Sequence, residues 1–154
     1  MDMDANTACI YSKLFSNLTA KNVKKPEDIL SHNIAIWLRN EVLSGFPIVF
    51  FHVPNEAFTS YSYAAKLNSI GRISGAPDFV IASNGRVVFL EIKAPIKNKK
   101  IKLSENQKAF QEWCSVSGTP YFVVDSLNDA KYIVKRHLLG VTNLSILSDT
   151  QNVE

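Results

Sequence analysis

Asp78, Glu91 and Lys93 are the residues whose types and spacing could do chemistry. Asn84-Gly85 lies between two strand-like runs, Asp78 to Ser83 and Arg86 to Lys93. Asn-Gly favours the tight type I′ turn, whose two central residues both need positive φ. A two-residue turn fixes the register of a hairpin. Ser83 then faces Arg86, and stepping outward sets Asp78 opposite Glu91. Opposed residues share a face, with Cβ atoms about 4.5–5.5 Å apart. Lys93, two positions beyond Glu91, lies on that face too. Two opposed carboxylates repel. A bound cation, a shared proton or solvent exposure would offset the repulsion, and an exposed pair with Lys93 as a salt-bridge partner would be nearly neutral in energy. The hydrophobic strands around the acids favour the cation. Carboxylate oxygens at this separation suit Mg²⁺, with Mn²⁺ as a substitute. An ion held there could polarise a phosphoryl oxygen and acidify a water, with Lys93 orienting that water or stabilising developing negative charge.

The elements that must position these residues follow from the pattern on either side. Helical periodicity predicts a short amphipathic helix from about Asn6 to Leu18. Pro26, with Glu27 and Asp28 behind it, marks a second helix start. Its apolar stripe runs through Ile29, Leu30, Ile34, Trp37, Leu38 and Leu43, and Gly45 stops it. Phe46 to Val53 reads as a strand, with His52 as a structural histidine on it. Phe58 to Ser69 reads as a helix, and 71–75 as loop. The hairpin carries Val80 and Ala82 on one face and Phe79, Ile81, Leu90 and Ile92 on the other, so it should be central and covered on both sides. Ser104 caps a helix over about Glu105 to Ser117, Pro120 to Val124 is a buried strand, and Ser126 caps a last helix with Leu127, Ile133, Val134 and Leu138 on one face. Trp37, Phe79, Trp113 and Cys114 are expected in the core, and His32 and His137 have no assigned role. The expected architecture is a mixed α/β sandwich with helices on a central sheet.

Bulk properties narrow the classes. The chain has 154 residues, 46% hydrophobic and 20% charged, as expected for one globular domain. No apolar run approaches the roughly 18 residues that span a membrane. The acidic start, Met1-Asp2-Met3-Asp4, is unlike a signal peptide, so a cytoplasmic setting is expected. Cys9 and Cys114 make no disulfide framework. The net charge of +3 and pI of about 8.8 are only mildly basic. The positive charge is concentrated, however, in Arg86, Lys93, Lys97, Lys99, Lys100, Lys102 and Lys108, against Glu91 and Glu105 alone in that stretch. Lys97, Lys99, Lys100 and Lys102 follow the acidic site directly and could hold phosphates. The rival reading is a solubilising loop. Asn55 and Glu56 either line the site, with Asn55 as a DNA contact, or end the strand.

Gly75-Ala76-Pro77-Asp78, followed by Leu90-Glu91-Ile92-Lys93, resembles the P-D…E-x-K signature of the PD-(D/E)xK nuclease superfamily. Phe51-His52-Val53-Pro54-Asn55-Glu56, Leu67 to Pro77 and Leu103-Ser104-Glu105-Asn106-Gln107 extend the resemblance to VRR-NUC (virus-type replication-repair nuclease) domains, over roughly Pro26 to Leu138. The resemblance implies a restriction-endonuclease-like fold over 26–140, and the residue pattern adds an N-terminal helical arm over 1–25 and a polar tail over 141–154. It implies a Mg²⁺-dependent DNA endonuclease in a bacterial or phage-infected cell, acting as a homodimer on branched DNA such as four-way junctions. The alternatives are a nickase, a flap or restriction-type nuclease, or a non-catalytic DNA-binding module on the same fold. By position, Asp78, Glu91 and the Ile92 carbonyl would bind the metal, Lys93 would be the active-site lysine and Gln107 a further catalytic residue. Glu27 matches an acid on the family's first helix and by that match would join the metal site. The family's glutamine four residues later is Ser31 here, a departure that separates Glu27 from the rest of its motif. A helix-start acid would explain Glu27 equally, and Ser104-x-x-Gln107 is also a capping box.

Overall fold

The structure is a computed structural model describing residues 11, 13–15, 23–55, 60–94 and 100–140. Most of the helix expected at Asn6–Leu18 lies outside them. A helical turn in which the Phe15 N–H donates to the Tyr11 carbonyl is its described part. The first full helix, α1 (Pro26–Leu43), starts at Pro26, where a missing N–H costs nothing, and has Glu27 and Asp28 in its first turn. Leu30, Ile34, Trp37, Leu38 and Val42 form its buried face. Ile29 and Leu43, expected on that face, are exposed. They lie one position out of phase with the stripe, and Val42 takes the inward place instead.

The sheet has four strands in the order β1 (Val49–His52), β2 (Phe79–Ser83), β3 (Arg86–Ile92) and β4 (Tyr121–Val124). β1–β2 and β2–β3 pair antiparallel, and β3–β4 parallel. The turn residues Asn84 and Gly85 both have positive φ, 50° and 74°, as a type I′ turn requires. Ser83 faces Arg86 and Phe79 faces Leu90, the register read from the turn. The parallel pair needs a crossover, supplied by α3 (Glu105–Ser117), after α2 (Tyr61–Ser69) between β1 and β2. Helix α4 (Leu127–Leu138) follows β4 and packs beside α1 on one face of the sheet, burying Ala130, Val134 and Leu138. Leu127 and Ile133, expected on this stripe, are only partly buried at its margin.

Phe79, Ile81, Val88, Leu90 and Ile92 point into that core and are all buried. The opposite face is only half-covered. There Val80, Ala82, Val87 and Phe89 are partly exposed, so the hairpin is not fully enclosed on both sides. The reason is that α3 covers only the β3–β4 side, where Phe110 packs on Phe89 and Tyr121 at ring distances of 5.9 and 6.2 Å. Trp113 is correspondingly not core. It stands edge-on to Phe110 on the outer side of α3 and is 57% exposed. β1 is shorter than the expected Phe46–Val53 strand. It is an edge strand whose Val49 and Phe51 are exposed, while Ile48 just before it is buried. β4 is the other edge, and only Val124 is buried on it. Helix α2 starts at Tyr61, on a Ser60 cap, instead of at Phe58, which lies outside the described residues.

Candidate metal and nuclease site

The start of β2 and the end of β3 meet where the acids were expected. Asp78 precedes β2 by one residue, and its Oδ2 accepts the Ile92 N–H at 2.7 Å. Its own carbonyl accepts the Val53 N–H at 2.8 Å, so both neighbouring strands hold it. Glu91 is 1% exposed, while Lys93 keeps 18% of its side chain exposed and sets Nζ 3.1 Å from Glu91 Oε1. Lys93 is fixed through its backbone, whose N–H donates to the Val124 carbonyl and prolongs the β3–β4 pairing. Gln107 reaches the same place from α3. Its Nε2 donates to Glu91 Oε1 at 2.5 Å, while its Oε1 accepts the Ser104 N–H at 2.9 Å. The Ser104 hydroxyl in turn accepts the Gln107 N–H. The capping box and the contact with Glu91 therefore coexist, one amide atom serving each.

Glu27 arrives from the first turn of α1, and its Oε1 accepts the Ala94 N–H at 3.3 Å. It shares a cleft of about 200 Å³ with Ser31, His52, Asn55, Asp78 and Ile92. Asn55 is occupied in holding the chain, its amide donating to the Ala76 carbonyl at 2.6 Å. That bond clasps the turn before Asp78. Gly75, at φ +84°, lies so close to α3 that a Cβ there would collide with the Asn106 carbonyl carbon and oxygen. The Asn106 amide also donates to the Ser74 hydroxyl at 2.8 Å. The loop that delivers Asp78 and the helix that delivers Gln107 are thus locked together. Lys100 and Lys102 are exposed on the stretch before α3, and Lys97, Lys99 and Glu56 lie outside the described residues.

Two residues belong to this neighbourhood that the sequence did not single out for it. His52 is exposed at the cleft, edge-on to Phe79 at 5.0 Å, and its charge would favour the ionised form of Asp78. It is not sealed in the apolar strand. Tyr121 places a buried hydroxyl toward Glu91, and burial followed by the negative charge of Glu91 pushes its titration up. Among the described residues no group stands at good hydrogen-bond geometry to that hydroxyl, nor to Glu91 Oε2. The strand alternation could have flagged His52. Tyr121 needed the parallel β3–β4 register, which no turn encodes.

Burial, then the charge of Asp78, raises the Glu91 carboxyl from 4.5 to about 7. Burial likewise raises Asp78, with the Ile92 N–H, His52 and Lys93 pulling against it and Glu27 adding to it. Among the described residues no three His, Cys, Asp or Glu side chains could by themselves hold a metal ion. A cation here would therefore need main-chain oxygen or water beside the acids. The donor set fits a hard divalent ion on those terms. Glu91 Oε2 is a buried oxygen that makes no well-aligned hydrogen bond among the described residues, with the Tyr121 hydroxyl near the carboxylate but poorly placed, and this is costly unless something positive meets it.

No family model matches the chain, and no curated protein matches it. Among solved structures it is similar to a VRR_NUC domain protein, with a TM-score of 0.54 and 19% identity, over 79% of this chain and 98% of that one. At that identity the likeness shows the fold: a four-stranded mixed sheet flanked by helices, in the arrangement of a VRR_NUC nuclease-like domain.

Proposed function

We propose that this protein is a metal-dependent endonuclease that hydrolyses phosphodiester bonds in DNA, with Asp78, Glu91 and Lys93 at its active site. The observation that carries the reading is the Glu91 carboxylate. It is almost wholly buried, is opposed by Asp78, and is contacted by Lys93 and Gln107 on one oxygen. Its other oxygen makes no well-aligned hydrogen bond among the described residues. A protein pays a stability cost to keep such a group, and that cost is ordinary at a catalytic site. The VRR_NUC likeness of the fold supports the same reading.

Asp78, Glu91 and the Ile92 carbonyl would hold Mg²⁺ or Mn²⁺, which would supply Lewis acidity toward a phosphoryl oxygen and an acidified water. The remaining work falls to the chain's own groups. Lys93 presents its ammonium beside Glu91, where it can orient the attacking water and stabilise charge that grows on the phosphate. Gln107 holds the Glu91 carboxylate in one rotamer from α3. Glu27 holds the Ala94 N–H just past the end of β3, and Lys97, Lys99, Lys100 and Lys102 supply phosphate contacts outside the site. Homodimeric action on branched DNA, four-way junctions included, rests on the sequence resemblance alone. Labelled linear, flap, fork and four-way DNAs, incubated with Mg²⁺ or Mn²⁺, test the reading. Cutting of the branched forms ahead of plain duplex is expected. Preference for plain duplex rejects the branched substrate, and cutting of none rejects the nuclease.

A further inference from the structure

Helix α2 has no buried residue, although it sits in the middle of the chain between two paired strands. At about 100° of turn per residue, Ala64 and Leu67 form its inward side, and they alone in the helix are half-covered. Tyr61 and Tyr63 stand at the two rims of the outward arc, 92% and 50% exposed, with exposed Ser62, Lys66 and Ser69 between them. Among the described residues no aromatic ring stacks on either tyrosine. Ile70, just past the helix, is 70% exposed.

The charge of this segment is one-sided. Between Glu56 and Asp78 the sequence has no acidic residue, only Lys66 and Arg72 among four Ser and one Asn. The helix is also mechanically tied to the candidate site. Its C-terminal end leads through 70–77 directly to Asp78, and that loop is held by the Asn55–Ala76 and Asn106–Ser74 hydrogen bonds and by the close approach of Gly75 to α3. A purely apolar partner would not explain a basic and hydroxyl-rich centre between two aromatic rims. A nucleic-acid strand would: phosphates suit the exposed Lys66 ammonium, and a tyrosine ring offers a stacking surface to any base that is not already stacked in a duplex.

We propose that α2 is a binding surface for unpaired nucleotides next to the cut site, with Tyr61 and Tyr63 stacking on exposed bases and Lys66 meeting the backbone. The proposal rests on the nuclease reading for its choice of DNA, and it deepens that reading by naming the element that distinguishes strands with unpaired bases from plain duplex.

The test measures fluorescence anisotropy of the full chain in EDTA, where cutting is suppressed, with three labelled DNAs: a single-stranded oligonucleotide, a flap and a blunt duplex of the same sequence. Tyr61→Ala/Tyr63→Ala is expected to weaken binding to the single strand and the flap by about 10-fold or more, since one base–aromatic stack is worth about 1–3 kcal/mol and 1.4 kcal/mol is tenfold. Duplex binding should stay within about twofold. Tyr61→Phe/Tyr63→Phe should bind as the parent does, because stacking needs the ring and not the hydroxyl. Both rings are exposed, so circular dichroism should confirm that the Ala variant folds. Unchanged single-strand binding in the Ala variant overturns the proposal, as does a parent protein that binds none of the three DNAs. Sedimentation of the same variants adds a further outcome: if the alanines dissociate an oligomer and leave DNA affinity intact, α2 is a protein interface and the proposal fails. Cleavage by the parent with Mn²⁺ is scored separately. Loss of stacking in a protein that cuts nothing sinks the nuclease reading alone, and cutting that is indifferent to both tyrosines, with unchanged binding, sinks this one alone.

Discussion

Replacing Glu91 by Gln should stabilise the metal-free protein at pH 8 and abolish its response to Mg²⁺. In the folded chain the Glu91 carboxyl is raised from 4.5 to about 7, chiefly by burial and then by Asp78. A raised acid binds its proton more tightly folded than unfolded. Stability is therefore highest when the group is protonated, falls as pH rises from about 4.5 to 7, and stays low above that. At about 1.4 kcal/mol for each tenfold step in acidity, the full penalty is about 3 kcal/mol, of which about 2–3 kcal/mol develops between pH 5 and pH 8. In a domain of this size 1 kcal/mol moves the melting temperature by about 2–4 °C. Thermal unfolding followed by circular dichroism in EDTA should accordingly show the parent melting roughly 5–10 °C lower at pH 8 than at pH 5. Glu91→Gln should lose most of that dependence, since it removes the charge and keeps an oxygen for Gln107 and Lys93. Adding Mg²⁺ at pH 8 should raise the parent's melting temperature, because ligands that bind only the folded state stabilise it, and leave the variant's unchanged. If the parent melts at the same temperature from pH 5 to pH 8, or if Glu91→Gln is no more stable in EDTA at pH 8, then Glu91 is not a buried, uncompensated carboxylate.

Other perturbations separate the parts of the site. Lys93→Ala should lower single-turnover cleavage by about 100-fold or more, the range for losing one charge-stabilising donor, while DNA affinity by anisotropy changes little; retained cleavage would remove Lys93 from the chemistry. Neutralising Lys97, Lys99 and Lys100 together should weaken DNA binding and flatten its log–log salt slope by about 0.9 for each phosphate no longer neutralised, and an unchanged slope would count against the loop. Gly75→Ala should destabilise the fold by more than about 1 kcal/mol in urea unfolding, because the added Cβ meets the α3 backbone and the φ of +84° is unfavourable for alanine; a neutral effect would show that the loop and α3 are not locked. Tyr121→Phe should change stability by no more than about 1 kcal/mol, since the buried hydroxyl it removes meets the Glu91 carboxylate only at poor hydrogen-bond geometry, and a marked loss of stability would show that this contact holds the carboxylate.

What the sequence showed of this architecture depended on how local the cause was. Asn84-Gly85 encodes its own backbone conformation, so the hairpin register, and with it the opposition of Asp78 and Glu91, followed from two residues. The Ser104–Gln107 capping box and the start of α1 at Pro26 were legible for the same reason. Burial was less legible, because it depends on what another element covers. Trp113 fits an apolar reading of α3 yet faces outward, since α3 shields only part of one sheet face. Phe46–Val53 has the composition of an inner strand, but its place at the sheet edge leaves Val49 and Phe51 exposed. Tyr121 escaped notice because a parallel pairing across a long crossover leaves no mark in nearby residues. His52 was assigned by the company it keeps on β1, whereas its neighbour across the cleft is Asp78.

The nuclease reading is tested most directly by cleavage of a labelled branched DNA under single-turnover conditions, with the parent protein beside Asp78→Asn, in Mg²⁺, in Mn²⁺ and in EDTA. Strand scission by the parent is expected with either metal and none in EDTA, and Asp78→Asn should cut nothing above background with either metal. Cleavage that survives Asp78→Asn, or a parent that cuts no DNA with either metal, would contradict it.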